Sequence, residues 1–227
     1  MLQLKRHFAD RSDRVGLAID DLIVAGWTGR DAAALEHHIE ELAAIGVPRP
    51  SAVPLFYRLS ASLLTTADAI DVVGGGTSGE VETVIFSLAD GLWVGLGSDH
   101  TDRNAEAQSV ALSKQLCQKP LAGELWRYDE VVDHWDALVL RAYAVERGER
   151  KLYQHGAVAA IRHPRDLMQR YAGNQALLPA GSAMFCGTLS AIGGIRPAER
   201  FEIELEDPVL KRSIRHGYDI RSLPLVS

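Results

Sequence analysis

The chain has 227 residues, 47% of them hydrophobic, with 24 lysines and arginines against 30 aspartates and glutamates and a formal charge of -6. That length can bury a real core without staples, and a mean hydropathy of -0.04 is that of an ordinary soluble globule. The acidic balance leaves out the electropositive footprint of a nucleic-acid binder, and no apolar run approaches bilayer length. Only Cys117 and Cys186 occur, at no metal-type spacing and with no disulfide framework, and "MLQLKRHFADRSDR" has no apolar stretch behind its basic residues. The expectation is a cytoplasmic protein with no nucleic-acid partner and no membrane partner.

In chain order, "RVGLAIDDLIVAGW" is apolar and β-leaning. "GRDAAALEHHIEELAAIG" then repeats Ala, Leu and Ile at helix period and stops at Gly46, with Pro48 and Pro50 following. On that helix His38 and Glu41 share a face, as do His37 and Glu40. Such a pair can activate water, the carboxylate orienting an imidazole that takes the proton; a solvated helix face is the plainer alternative.

Short β-leaning runs broken by Gly and Pro follow: "AVPLFYRLSASLL", "AIDVVGGGTSG" and "ETVIFSLADGLWVGLG". Strand period sends Glu80, Glu82, Val84 and Phe86 to one face, so two like charges sit on a surface that turns apolar. Either both carboxylates reach water at a strand end, or a divalent cation offsets their repulsion. "FEIELED" offers a control, because Glu202 and Glu204 have the same spacing while Phe201, Ile203 and Leu205 alternate on the opposite face. That pair reads as a solvated face. "GSDHTDRN" places Asp99 and Asp102 after a strand, where each can be a ligand, a helix cap or a turn residue.

"NAEAQSVALSKQLC" and "HPRDLMQRYAGNQALLP" carry helix period, the second with Pro164 in its first turn. Lys114 lies in the apolar end of the first, either to stabilise an anion or to snorkel to water. "ALVLRAYAVERGERKLYQHG", "SAMFCG" and "RFEIEL" are further strands, and "AMFCGTLSAIGG" ends in a glycine-rich turn with Thr188. No phosphate-loop or dinucleotide fingerprint is present. Strands outnumber helices and hairpin-like joins dominate, which predicts an α+β, mostly β single domain over residues 1–227 and not a doubly wound parallel sheet.

Taken together, the segments from about Ala25 to Ile220 resemble the fumarylacetoacetate hydrolase superfamily. "HIEEL", "VPRP" and "VPLFYRLSASLL" look like its lid helix and the Pro-containing turn after it; "EVE", "DHTDRN" and "SKQLCQKPLAGELW" follow in the family's order. "RGERKLYQHGAV", "HPRDLMQRY", "LLPAGSAMFCGTLSAIGG" and "RPAERFEIEL" resemble its C-terminal half. Departures are a shorter stretch between Glu82 and Asp99, "CGTL" for the family's "TGTP", and Ala157 or Val158 for a Thr. The chain is similar in this to the branch grouped as DUF2848.

The resemblance implies a mixed-sheet, β-roll-like core with few helices, with N-terminal strands and lid helix over about 1–50 and a metal-binding β core over about 51–227, in a homodimer. It implies Glu80, Glu82 and Asp99 as ligands of Mg2+ or Mn2+, Asp102 standing as the other candidate for the third place. His38, Glu41 and Lys114 would be catalytic, and Gln154, Gly187 and Thr188 would touch the substrate. The implied activity is hydrolytic C–C cleavage of a 2-oxo or 2,4-dioxo acid. Decarboxylation, hydration, dehydration or isomerisation through an enolate is the alternative, and a non-catalytic small-molecule-binding relative is the alternative of another class.

Overall fold

A computed structural model describes residues 1–44, 49–173 and 178–226, the side chains of 38 and 41–44 excepted. The chain opens with β1 (Leu2–His7), β2 (Ser12–Leu17), β3 (Asp21–Gly26), α1 (Ala32–Ala44), β4 (Leu55–Leu59), the two-residue β5 (Leu64–Thr65) and β6 (Ala69–Val73). Next come β7 (Thr77–Ser78), β8 (Val81–Leu88), β9 (Gly91–Ser98), β10 (Thr101–Asp102), α2 (Arg103–Glu106), α3 (Val110–Gln115), β11 (Lys119–Pro120) and β12 (Glu124–Arg127). The remainder is β13 (Val139–Glu146), β14 (Glu149–Ala157), α4 (Pro164–Ala172), β15 (Ser182–Phe185), β16 (Arg200–Asp207) and β17 (Arg212–Leu223), with short 3-10 turns between.

An eight-stranded mixed sheet runs in the order β2-β1-β12-β9-β8-β15-β3-β4, and a five-stranded one in the order β14-β13-β16-β17-β6. The two pack face to face: Ile85, Val94 and Leu96 of the larger join Leu140, Ala142, Ile203, Leu205 and Ile214 of the smaller in one buried cluster. Val84, Phe86, Trp93, Ala183 and Phe185 form a second cluster on the far face of the larger sheet. β8 is therefore covered on both sides, which is why its run of buried residues is continuous. This is the α+β, mostly β architecture with few helices that the sequence predicts. No helix among the described residues is long and apolar enough to cross a membrane.

Several elements depart from the sequence expectation. β1 pairs with β2 and β12 although only Leu4 of it is buried, so it carries almost no periodic signal. "NAEAQSVALSKQLC" is two helices and not one. Asp102 caps α2, its Oδ1 accepting from the Asn104 and Ala105 N–H groups at 2.9 and 3.0 Å, and Ser109 restarts the chain as the cap of α3, accepting from Leu112 N–H at 3.3 Å. α4 starts at Pro164 and gives way at Gly173, whose φ is 61°. The predicted end of α1 at Gly46 lies outside the described residues.

The β8–β9 hairpin sets up the rest. Its two-residue connection, Ala89–Asp90, joins Leu88 opposite Gly91, and the register runs without a break to Val81 opposite Ser98. The residues just beyond its open end are Glu80 and Asp99.

Candidate active site

Since register is fixed by the short turn, Glu80 and Asp99 are cross-strand neighbours: the Asp99 N–H donates to the Glu80 carbonyl at 2.9 Å. Glu82, two residues on, projects to the same face opposite Gly97. Glycine is required there by close approach, because a Cβ at Gly97 would come within 2.7 Å of Phe185 and 3.0 Å of Leu121. Glu80, Glu82 and Asp99 each bring a carboxylate oxygen within 4.8 Å of the others. Asp99 is 0% exposed and Glu82 2%.

Three cations close around these carboxylates. Lys114 of α3 donates to Asp99 Oδ2 and lies 3.6 Å from Glu80 Oε2. Lys119 of β11 stands 2.9 Å from Asp99 Oδ1 and donates to the His100 carbonyl at 2.5 Å. Arg103 reaches Glu80 Oε1 at 2.8 Å, Glu106 Oε2 at 2.8 Å and Ser78 Oγ at 2.7 Å. Behind the cluster, the Tyr218 hydroxyl bridges Ser98 Oγ at 2.8 Å and His100 Nδ1 at 3.0 Å, and Ser98 Oγ accepts the Glu80 N–H at 3.2 Å. His100 Nε2 is 2.8 Å from Thr77 Oγ1. These bonds tie the site to both sheets.

Burial and charge separate the carboxyls. Burial, then the nearby Asp99 and Glu80, pushes Glu82 well above the usual carboxylate range. Asp99 is buried too, yet Lys114 and Lys119 outweigh burial and hold it below that range. Lys114 is held charged by Asp99 and Glu80 against its own burial. Burial, with Lys119 and Arg103 near, lowers His100 to about 3, so its imidazole is neutral at pH 7.

The glycine-rich loop after β15 braces this cluster. The Gly187 N–H donates to Glu82 Oε2 at 2.7 Å, and Gly187 has a φ of 102° with Thr28 packed where a Cβ would stand. Thr188 Oγ1 donates to the Val81 carbonyl at 2.8 Å. Gln154, reaching in from β14, accepts the Val81 N–H at 3.0 Å and donates to Thr188 Oγ1 at 2.8 Å and the Leu189 carbonyl at 2.5 Å. Gly187, Thr188 and Gln154 thus clamp the loop to β8 beside the carboxylates.

The structure brings Glu80, Glu82, Asp99 and Lys114 together, while Asp102 spends its carboxylate on the α2 cap. The side chains of His38 and Glu41 lie outside the described residues. Sequence reading missed Lys119, whose two-residue strand has no periodicity to betray it, and Arg103, which was visible in "DHTDRN" beside Asp99. The control pair differs from expectation in another way: Glu202 and Glu204 are ion-paired with Arg150 and Arg200 and with Arg141 and Arg215, not simply solvated.

The donor set fits a hard divalent cation. All three groups offer oxygen, the repulsion that raises Glu82 is what a cation would relieve, and Asp99 Oδ1, fully buried, has Lys119 beside it but no hydrogen bond in line. Oxygens about 2.1 Å from Mg2+ lie at most about 4.2 Å apart, so a spacing of up to 4.8 Å closes with small side-chain movements.

The model of the family described as a protein of unknown function, DUF2848, matches residues 25–218. Among curated proteins none matches the chain. Solved structures share its fold. A yeast fumarylacetoacetate hydrolase family protein is 16% identical with a TM-score of 0.64, over 92% of this chain and 95% of its own. A 2-keto-3-deoxy-D-arabinonate dehydratase, complexed with magnesium and 2,5-dioxopentanoate, is 15% identical with a TM-score of 0.65, over 96% of this chain and 79% of its own.

Proposed function

Because the chain belongs to the DUF2848 family, within the fumarylacetoacetate hydrolase superfamily, we propose that it is a divalent-metal-dependent enzyme cleaving a C–C bond of a 2-oxo or 2,4-dioxo acid by hydrolysis. The observation that carries this reading is the convergence of Glu80, Glu82 and Asp99 within 4.8 Å, with Lys114 on two of them. Mg2+ or Mn2+ held by the three carboxylates would act as a Lewis acid on a chelating 2-oxo acid.

The chain's own groups supply the rest. Lys114, fixed by Asp99 and Glu80, presents a positive charge that need not reorganise as negative charge develops on the keto oxygen. The buried floor made by Glu82, Asp99 and the Gly187 loop would keep bulk water from an oxygen held above it. Glu41 would orient His38, which takes a proton from the water attacking the distal carbonyl. A homodimer is the assembly that goes with this reading, checked by light scattering in solution.

Dehydration of a 2-oxo acid is the second reading, favoured by the shared fold of the dehydratase. It needs the same chelation and no attacking water. Incubating chelator-stripped protein, reloaded with Mg2+ or Mn2+, with acylpyruvates and with 3-deoxy-2-oxo sugar acids separates the two. Hydrolysis of an acylpyruvate consumes water and yields pyruvate and a carboxylate; dehydration yields a product one water lighter. Metal binding without turnover of any such acid would assign a non-catalytic binding protein, and turnover that survives both chelation and Glu82→Gln would refute the assigned centre.

A further inference from the structure

The functional reading leaves Lys119 unused. It is fully buried at the end of the β5–β11 ladder, and both of its partners, Asp99 Oδ1 and the His100 carbonyl, are acceptors. Lys114 occupies the other oxygen of the same Asp99, and Arg103 sits on Glu80. Three carboxyl groups, Glu80, Glu82 and Asp99, therefore face three basic side chains, Arg103, Lys114 and Lys119. Glu106, which shares Arg103, is 30% exposed and is screened by water.

This balance has a consequence for what the pocket can hold. Carboxylate sites bind divalent cations in proportion to their uncompensated negative charge. Even with all three carboxyls ionised the three cations already balance them, so a divalent ion entering alone would leave about two uncompensated positive charges in a buried pocket. Resting on the functional reading above, we infer that metal and ligand bind as a pair: the cation is held weakly alone and tightly with a dianionic chelator, and Lys119 sets that dependence. The substrate class narrows accordingly. A simple 2-oxo acid brings one negative charge, whereas a 2,4-dioxo acid, whose central carbon is acidified by both carbonyls, brings a carboxylate and an enolate to the same chelate.

The test is calorimetric titration of chelator-stripped protein with Mn2+ alone, with saturating pyruvate and with saturating oxalate, the Mn2+–oxalate complex in solution being measured separately. Oxalate, a dianion with the same two-oxygen bite, lowers the Mn2+ Kd by at least about tenfold, and pyruvate does so much less. Lys119→Met, close in volume and uncharged, binds Mn2+ alone at least about tenfold more tightly and loses most of the oxalate enhancement, whereas Lys119→Arg keeps it. Should Lys119→Met fail to fold, Lys119→Gln is titrated in its place, and a variant whose Mn2+ affinity and oxalate enhancement both match wild type overturns the role given to Lys119. Tight Mn2+ binding without an anion, or equal enhancement by pyruvate and oxalate, overturns the inference and leaves the metal-enzyme reading standing. No Mn2+ binding even with oxalate overturns both.

Discussion

Gly187→Ala is the most direct test of how the loop after β15 holds the carboxylate cluster. At a φ of 102° an alanine is strained by about 1–3 kcal/mol before any contact is considered. Its Cβ would overlap the Thr28 hydroxyl and lie 2.9 Å from Thr28 Cβ and 3.2 Å from Cγ2, so residue 187 or the β3–α1 connection has to move. Movement of residue 187 lengthens the 2.7 Å bond from its N–H to Glu82, and leaving that buried donor unsatisfied costs about 1–3 kcal/mol. Part of that bond survives relaxation, so a net loss of about 3 kcal/mol is expected, or about 6–12 °C in Tm for a chain of this size. Urea and thermal unfolding of the chelator-stripped protein read the stability, and Mn2+ calorimetry reads the site. Removing the obstacle as well, in Gly187→Ala/Thr28→Gly, recovers the steric part but not the backbone strain. A single variant within about 0.5 kcal/mol of wild type, with unchanged metal affinity, would refute the brace.

Glu82 gives metal-free stability a component that falls as pH rises. Its folded value lies above the ordinary 4.5, so its contribution is fully present below pH 4.5 and is lost as pH rises through the folded value. His100, held below its unfolded value, gives a component of opposite sign below about pH 6.5, so the comparison is with Glu82→Gln: from pH 4.5 upward the wild-type urea midpoint falls relative to that of the variant, and parallel profiles would place the proton elsewhere. Mn2+ with saturating oxalate at one hundred times its Kd stabilises the wild type by about 2.7 kcal/mol, or about 5–11 °C, and leaves Glu82→Gln unmoved in thermal unfolding. Gln154→Ala strands the buried Val81 N–H and frees Thr188 and Leu189, at a cost of about 2–4 kcal/mol by urea unfolding; a loss under about 1 kcal/mol would show that the clamp is dispensable.

Much of the fold is legible because the main strands are periodic or continuously apolar. β16 alternates buried and half-buried residues as "RFEIELED" does, and β8 and β9 are the apolar runs on either side of "ADG". What was missed had little periodicity to offer. β1 buries one side chain and is held by backbone pairing on both of its edges. The break between α2 and α3 depends on Ser109 turning its hydroxyl to the backbone, a local competition that an apolar pattern averaged over a dozen residues conceals.

The candidate site divides along the same line. Glu80 and Glu82 advertise themselves, being two like charges on a face that turns apolar, and Asp99 follows from the hairpin: with a two-residue connection and unbroken register, the residue before β8 must meet the residue after β9. Compensation of those charges is a different kind of information. Lys114 belongs to a helix of six residues and Lys119 to a strand of two, and each reaches Asp99 because packing carries its element over the open end of the hairpin. Neighbours in sequence report period; neighbours in space report charge. A three-carboxylate motif read by spacing alone looks like a site that attracts a bare cation, while the same motif with its two buried lysines is one in which the cation and an anion must arrive together.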